Sequence, residues 1–355
     1  MPLTRSASDP LYHELERYVT EYLIRGAPDR ELTLVRRADS ADTLDAIVVA
    51  GTHEHQELTA SIRRLFSSFV LPTVYDDVIS FSVADALLKD VRKASTKVVP
   101  TLSHEMFGGF CCAPTSSVNA QAVPIATAEG IRVFVVFESG LFTFVHGLLS
   151  TLVAAAPPQV WQAPRDWLAG WEDYQVRHSA DITEAAGDLA AWIGFFARHN
   201  ERKGLTFVSL ASLGRGQQRL LHDMVRGCEL FLTAHEYVHA IAGHHDPQRD
   251  AREVEAEADR SGARIAAETF RENGVNPTHA LCGIALVLSA IGQHQQHGPH
   301  AHFEARLSVI EDEVLPHSAD QKQARESITA WTGLLRKFVG LADQAGMEQR
   351  NAEGL

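Results

Sequence analysis

The stretch FLTAHEYVHAIAGHHD, residues 231–246, sets His235 and His239 four residues apart, with Glu236 directly after the first. On an α-helix, residues i and i+4 stand one above the other, so both imidazoles can turn toward one ion. Zn2+ takes imidazole nitrogen at about 2.0–2.1 Å and favours four ligands in a tetrahedron. Glu236 is one step round the helix, too offset to ligate comfortably but placed to reach a water at the metal. Two ligands and a general base then come from one turn, the logic of the H-E-x-x-H pattern. The bland alternative is a histidine pair on an amphipathic helix, in a chain that holds 18 histidines. His–Glu recurs at 13–14, 53–54 and 104–105, and none of those pairs has a histidine four residues after its first member.

A catalytic zinc needs a third protein ligand and one open position. REVEAEADRSGARIAAE (252–268) offers Glu253, Glu255 and Glu257, which at 100° per residue cannot share a face. Val254, Ala258, Ser261 and Ile265 mark a core-facing stripe. Glu255, Asp259, Gly262 and Ala266 lie beside it, and Glu253 and Glu257 turn to water. Glu255 is therefore the expected third ligand. Asp259, one turn later, is placed to accept the second N–H of a ligating histidine and so fix its tautomer. The small residues of this stripe let the two helices approach closely. His244 and His245 read as surface histidines at a helix end. A ligand role for His245 would want a glycine at position 242, which is alanine. Further on, GQHQQHGPHAHFEARLSVI (292–310) places His300 six residues before Arg306. A positive or hydrogen-bonding group aimed at the metal there would stabilise an oxyanion as a peptide is attacked.

The elements that must carry these residues can be read from hydrophobic spacing. Asp9–Pro10 starts a helix whose apolar residues repeat to Leu23. Strands are expected at 32–37 and 45–51, and helices at 55–69 and 82–94. The segment 95–120 reads as irregular. QAVPIATAEGIRVFVVFESG (121–140) reads as a β-hairpin turning at 128–130. After it the chain reads as helical: 139–155, 180–199, 215–245, 249–272, 277–292, 301–314 and 319–344. The fold class expected is α+β and predominantly helical. Its parts are an α/β region of unknown role (1–118), a metal-binding domain with a small sheet (119–345) and a frayed tail (346–355).

Composition narrows the function. The formal net charge of −13 disfavours nucleic acid and anionic membrane as partners, because both demand basic surface. Cys111, Cys112, Cys228 and Cys282 form no CxxC pair and no disulfide framework, which points to a reducing compartment. The first residues lack the apolar core of a secretory signal. GLFTFVHGLLSTLVAAA (140–156) is short for a membrane span and ends at Pro157–Pro158, so it reads as a buried helix. A soluble cytoplasmic chain is expected. A thiol nucleophile at Cys111–Cys112 near His104 is disfavoured, since nothing orients the histidine.

The order HEYVH (235–239), then E-x-x-A-D (255–259), then His300-x5-Arg306 resembles the CAAX prenyl endopeptidase and HtpX-like zinc metallopeptidases, which are gluzincins. RENGVNPTHAL (271–281) also resembles that family's stretch between its second and third motifs, so the likeness covers about residues 225–312. The third element departs from the family's HPxxxxR in having Ala301 where proline is usual. No membrane helices flank the site, and the gap from His239 to Glu255 is short. In both respects the chain is also similar to ImmA/IrrE-type and Lit-type soluble proteases. The resemblance implies one Zn2+ held by His235, His239 and Glu255, with Glu236 as general base and Asp259 behind a ligand. It also implies His300 and Arg306 near the tetrahedral intermediate. The expected function is that of a soluble zinc endopeptidase acting on a protein or peptide. The rivals are a zinc-stabilised regulatory module without turnover and a histidine-rich scaffold without metal.

Overall fold

The computed structural model describes residues 10–24, 73, 76, 78–113, 118–128, 130–156, 160, 170–198, 208, 212–246, 248–294 and 303–353. The strands expected at 32–37 and 45–51, the helix at 55–69, and His300 lie outside the described residues. Among those described, the chain is predominantly helical with one small three-stranded sheet. It divides into two compact units. One draws on Met1–Asp90, Thr101–Phe142 and Glu236–Gln248, the other on Val91–Pro100, Thr143–His235 and Arg249–Leu355.

The first unit holds the sheet. Strands β1 (Phe107–Ala113), β2 (Ala120–Thr127) and β3 (Gly130–Glu138) lie in the order β1-β3-β2, with β1 parallel and β2 antiparallel to β3. The hairpin expected at 121–137 is β2–β3. Helix α1 (Pro10–Tyr18) continues as a π-helical turn, Val19–Ile24. Tyr12, Leu15, Val19 and Leu23 recur on one face and bury themselves against Cys111, Val123, Ile125, Phe134 and Val136. β1 falls in the segment expected to be irregular. FGGFCCA shows no polar alternation because all but its first residue are buried, and alternation marks only half-buried strands. Asp76 secures this strand: Oδ1 accepts from the Cys112 backbone N–H at 2.6 Å, and Oδ2 accepts from the Thr73 backbone and hydroxyl. The parallel ladder of β1 and β3 joins residues 107–113 to residues 133–138.

Among the described residues, the remaining α-helices are α2 (Val78–Val98), α3 (Ser139–Ala155), α4 (Trp171–Arg177), α5 (Ser179–Arg198), α6 (Arg215–Ile241), α7 (Ala251–Asn273), α8 (Pro277–His294), α9 (Phe303–Val314) and α10 (Gln321–Glu353). In the second unit α7 packs on α9, α8 on α9 and α10, and α5 on α10. Trp331, Leu334, Leu335 and Phe338 of α10 are buried there. α10 is helical through Glu353. The apolar run 140–156 forms α3, with Phe144, Val145, Leu148, Leu149 and Leu152 fully buried. Among the described residues, no helix is long and apolar enough to cross a membrane. All four cysteines are buried and none is in a disulfide. Burial pushes the thiols of Cys111, Cys228 and Cys282 upward, away from the thiolate a nucleophile requires.

Candidate metal centre

α6 carries the histidine pair on its last two turns. Phe231, Ala234, Val238 and Ile241 are buried around it, so the helix presents His235 and His239 from a fixed support. α7 begins where Asp250 accepts hydrogen bonds from the backbone N–H groups of Arg252 and Glu253, and it ends at Gly274 in the left-handed region. Its small-residue stripe permits a close approach. A Cβ at Gly262 would lie 3.0 Å from both Cα and N of His235, so α7 is against the α6 backbone at the first histidine. Glu255 and Asp259 precede Gly262 on the same stripe, and both reach that imidazole.

Nε2 of His235 is 3.5 Å from Oε2 of Glu255, and Nδ1 is 3.0 Å from Oδ1 of Asp259. The two ring nitrogens therefore have separate jobs. Asp259 lies beside Nδ1, and Nε2 is turned toward Glu255. One ligand atom from each of His235, His239 and Glu255 lies within 4.8 Å of the other two, so this group could hold a metal ion. The edge of a tetrahedron with zinc-like bonds is about 3.3 Å, close to the His235–Glu255 separation. Two imidazoles and one carboxylate are also the donor set of several catalytic zinc sites.

Arg306, on α9, completes the support. Its Nε and Nη2 each donate to a different oxygen of Asp259, both at 2.8 Å, and Nη2 lies 3.9 Å from Oε2 of Glu255. Asp259 is 1% exposed and Arg306 11%. Burial alone would push the Asp259 carboxyl upward. The contacts and charges of His235 and Arg306 outweigh it and hold the group well below the usual carboxylate range. Asp259 thus stays an anion beside His235. Arg306, expected near a reacting substrate, directs its Nε and Nη2 to Asp259.

The other acidic candidates separate as their positions on α7 predict. Glu253 is exposed, and Glu257 pairs with Arg249 at 2.6 Å. Glu236 is half-buried and is not one of the metal-binding group. His245 is also outside that group. His244 and His245, expected at the surface, are both half-buried, and Nδ1 of His244 is 2.9 Å from Nδ1 of His239. Next to the first histidine, Tyr237 is buried against Phe107 and has its hydroxyl 3.2 Å from Nδ1 of His104. His104 is thus turned toward a tyrosine on α6. No family model, curated protein or solved structure matches the chain.

Proposed function

We propose that the chain is a zinc-dependent endopeptidase of gluzincin type, hydrolysing peptide bonds in a protein or peptide substrate. The observation that carries this reading is the convergence of His235, His239 and Glu255 within 4.8 Å, with Glu236 adjacent to the first ligand but outside the donor group. A purely structural site has no use for a carboxylate at that position. Zinc, when bound, supplies the Lewis acidity that activates water and polarises a carbonyl. Glu236 takes the proton from the attacking water and delivers it to the leaving amine. Asp259 keeps the His235 ring in its ligating tautomer. Arg306 keeps Asp259 in place and ionised, and its positive charge lies close to Glu255.

The test compares wild-type protein with Glu236→Gln, both purified without a histidine tag. Metal analysis should find about one zinc per chain in each. Mass spectrometry of new peptide termini in a proteome digest should find cleavages with the wild type, reduced at least about 100-fold with Glu236→Gln. Equal cleavage by both proteins refutes the mechanism. Zinc in both with cleavage by neither leaves the regulatory module as the better reading.

A further inference from the structure

We propose that His244 is a positioning residue for the metal centre, holding His239 by Nδ1 so that Nε2 faces the ion; the inference rests on the metal-site reading above. It begins with the end of α6. The last helical residue is Ile241, and the backbone N–H of Ala242 still bonds to the carbonyl of Val238 at 2.9 Å. Gly243 then adopts φ 68°, in the left-handed region. Nothing lies within 4 Å of where its Cβ would be, so the glycine is there for its backbone and not for lack of space. That one residue reverses the chain and returns His244 to the flank of the helix it has just left. The imidazoles of His239 and His244 meet edge to face, with centroids 4.9 Å apart and planes at 74°.

The contact between them fixes a proton inventory. Two Nδ1 atoms 2.9 Å apart share one hydrogen, so one ring donates and the other accepts. If His239 accepts, its own proton sits on Nε2 and that nitrogen cannot ligate. If His239 donates, Nδ1 carries the proton and the Nε2 lone pair is available. His244 then accepts at Nδ1 and keeps its proton on Nε2. The contact admits both arrangements, and metal uptake selects the second. His239 thus has in an imidazole a counterpart of what His235 has in Asp259: a partner at Nδ1 that holds the ring and can accept its proton when Nε2 ligates. One supporting group comes from α7 and the other from the turn that ends α6 itself.

The probe is zinc alone, titrated in competition with a chromophoric chelator against wild type, His244→Ala, His244→Asn and His244→Gln. The amide of Asn places an acceptor where Nδ1 was, whereas that of Gln does not reach the same point. The Ala and Gln variants are expected to bind zinc about 10- to 100-fold more weakly, and Asn within about three-fold of wild type. Gln keeps the comparison meaningful should the Ala variant fold poorly, and thermal melts of the metal-free proteins check that. X-ray absorption should count two imidazole ligands in wild type and still two in the variants. Wild-type affinity in both Ala and Gln overturns the proposal, as does Asn binding as weakly as Ala. A third imidazole in wild type that disappears in His244→Ala makes the residue a ligand and overturns it too. Wild-type protein that takes up no zinc sinks the metal centre and this inference with it, and is told apart by that measurement.

Discussion

The guanidinium of Arg306 meets the carboxylate of Asp259 at two points, Nε to Oδ2 and Nη2 to Oδ1, each 2.8 Å long. This fork is almost fully withdrawn from water, and Oδ1, the oxygen that accepts from Nη2, also lies 3.0 Å from Nδ1 of His235. A planar two-point grip fixes the carboxylate's rotation as well as its position, which a single charge cannot do.

Arg306→Lys should therefore weaken zinc binding although the charge remains. Arg306→Ala should do more, because it leaves Asp259 as a buried anion with its strongest partner gone. Breaking a buried pair from one side costs about 3–5 kcal/mol of stability, and loss of outer support costs about 10- to 100-fold in metal affinity. Chelator-competition titrations and urea denaturation of both variants check this. Lysine equal to arginine in both measurements would show that charge alone suffices.

Gly262 is the point where α7 comes nearest His235, and the atoms that a Cβ would meet are backbone, which cannot rotate aside. Gly262→Ala gains about 1 kcal/mol of helix propensity but must push the helices apart, an overpacking cost of about 1–3 kcal/mol. The net expectation is a loss of stability together with weaker zinc binding, since the shift draws Glu255 away from His235. Gly187, on the exposed side of α5 with nothing within 4 Å, is the control. There the same substitution should stabilise by about 0.5–1 kcal/mol. Denaturant midpoints of the two variants should move in opposite directions.

The same geometry separates what sequence could reveal from what it could not. The His235–His239 spacing is a property of one helix, and Glu255 and Asp259 follow from one stripe of another, so periodicity sufficed for both. The partner of Arg306 is 47 residues away on a different helix, and no local pattern fixes which carboxylate it meets. His244 escaped for a backbone reason: its place beside His239 depends on the left-handed turn at Gly243, and side-chain spacing carries no trace of that turn. A glycine directly after the last helical turn and before a histidine was the available signal. β1 escaped because a strand buried on both faces shows no alternation.

Metal removal should register in folding. A ligand that binds only the native state stabilises it by RT ln(1 + [L]/Kd), about 4 kcal/mol at a thousand-fold excess over Kd. Chelation should lower the unfolding midpoint of the wild type, and it should leave Glu255→Gln, with a weaker oxygen donor, nearly unmoved. A wild type whose melting is indifferent to both chelator and added zinc would contradict a native-state metal site.

Glu229 provides a pH test away from the candidate metal centre. It lines a cavity of about 380 Å3 with His146, Arg226 and Leu221, and burial pushes its carboxyl up from 4.5 to about 7 against the opposing charge of Arg226. Below about pH 4.5 the group is neutral in both folded and unfolded chains and its burial carries no ionisation penalty. Between pH 4.5 and 7 the unfolded chain ionises first, so stability falls as pH rises, by at most about 3 kcal/mol. The side chain is only half-buried by surface, which makes the lower part of that range the better expectation. His146 in the same cavity is shifted down by its own burial and resists protonation, so it opposes the trend on the acid side. Subtracting wild type from Glu229→Gln removes the histidine's contribution and isolates the glutamate's. Glu229→Gln should be more stable than wild type at pH 8 and close to it at pH 4.5, measured by urea midpoints at the two pH values. A difference that does not change with pH would mean that the carboxyl ionises normally in the folded protein.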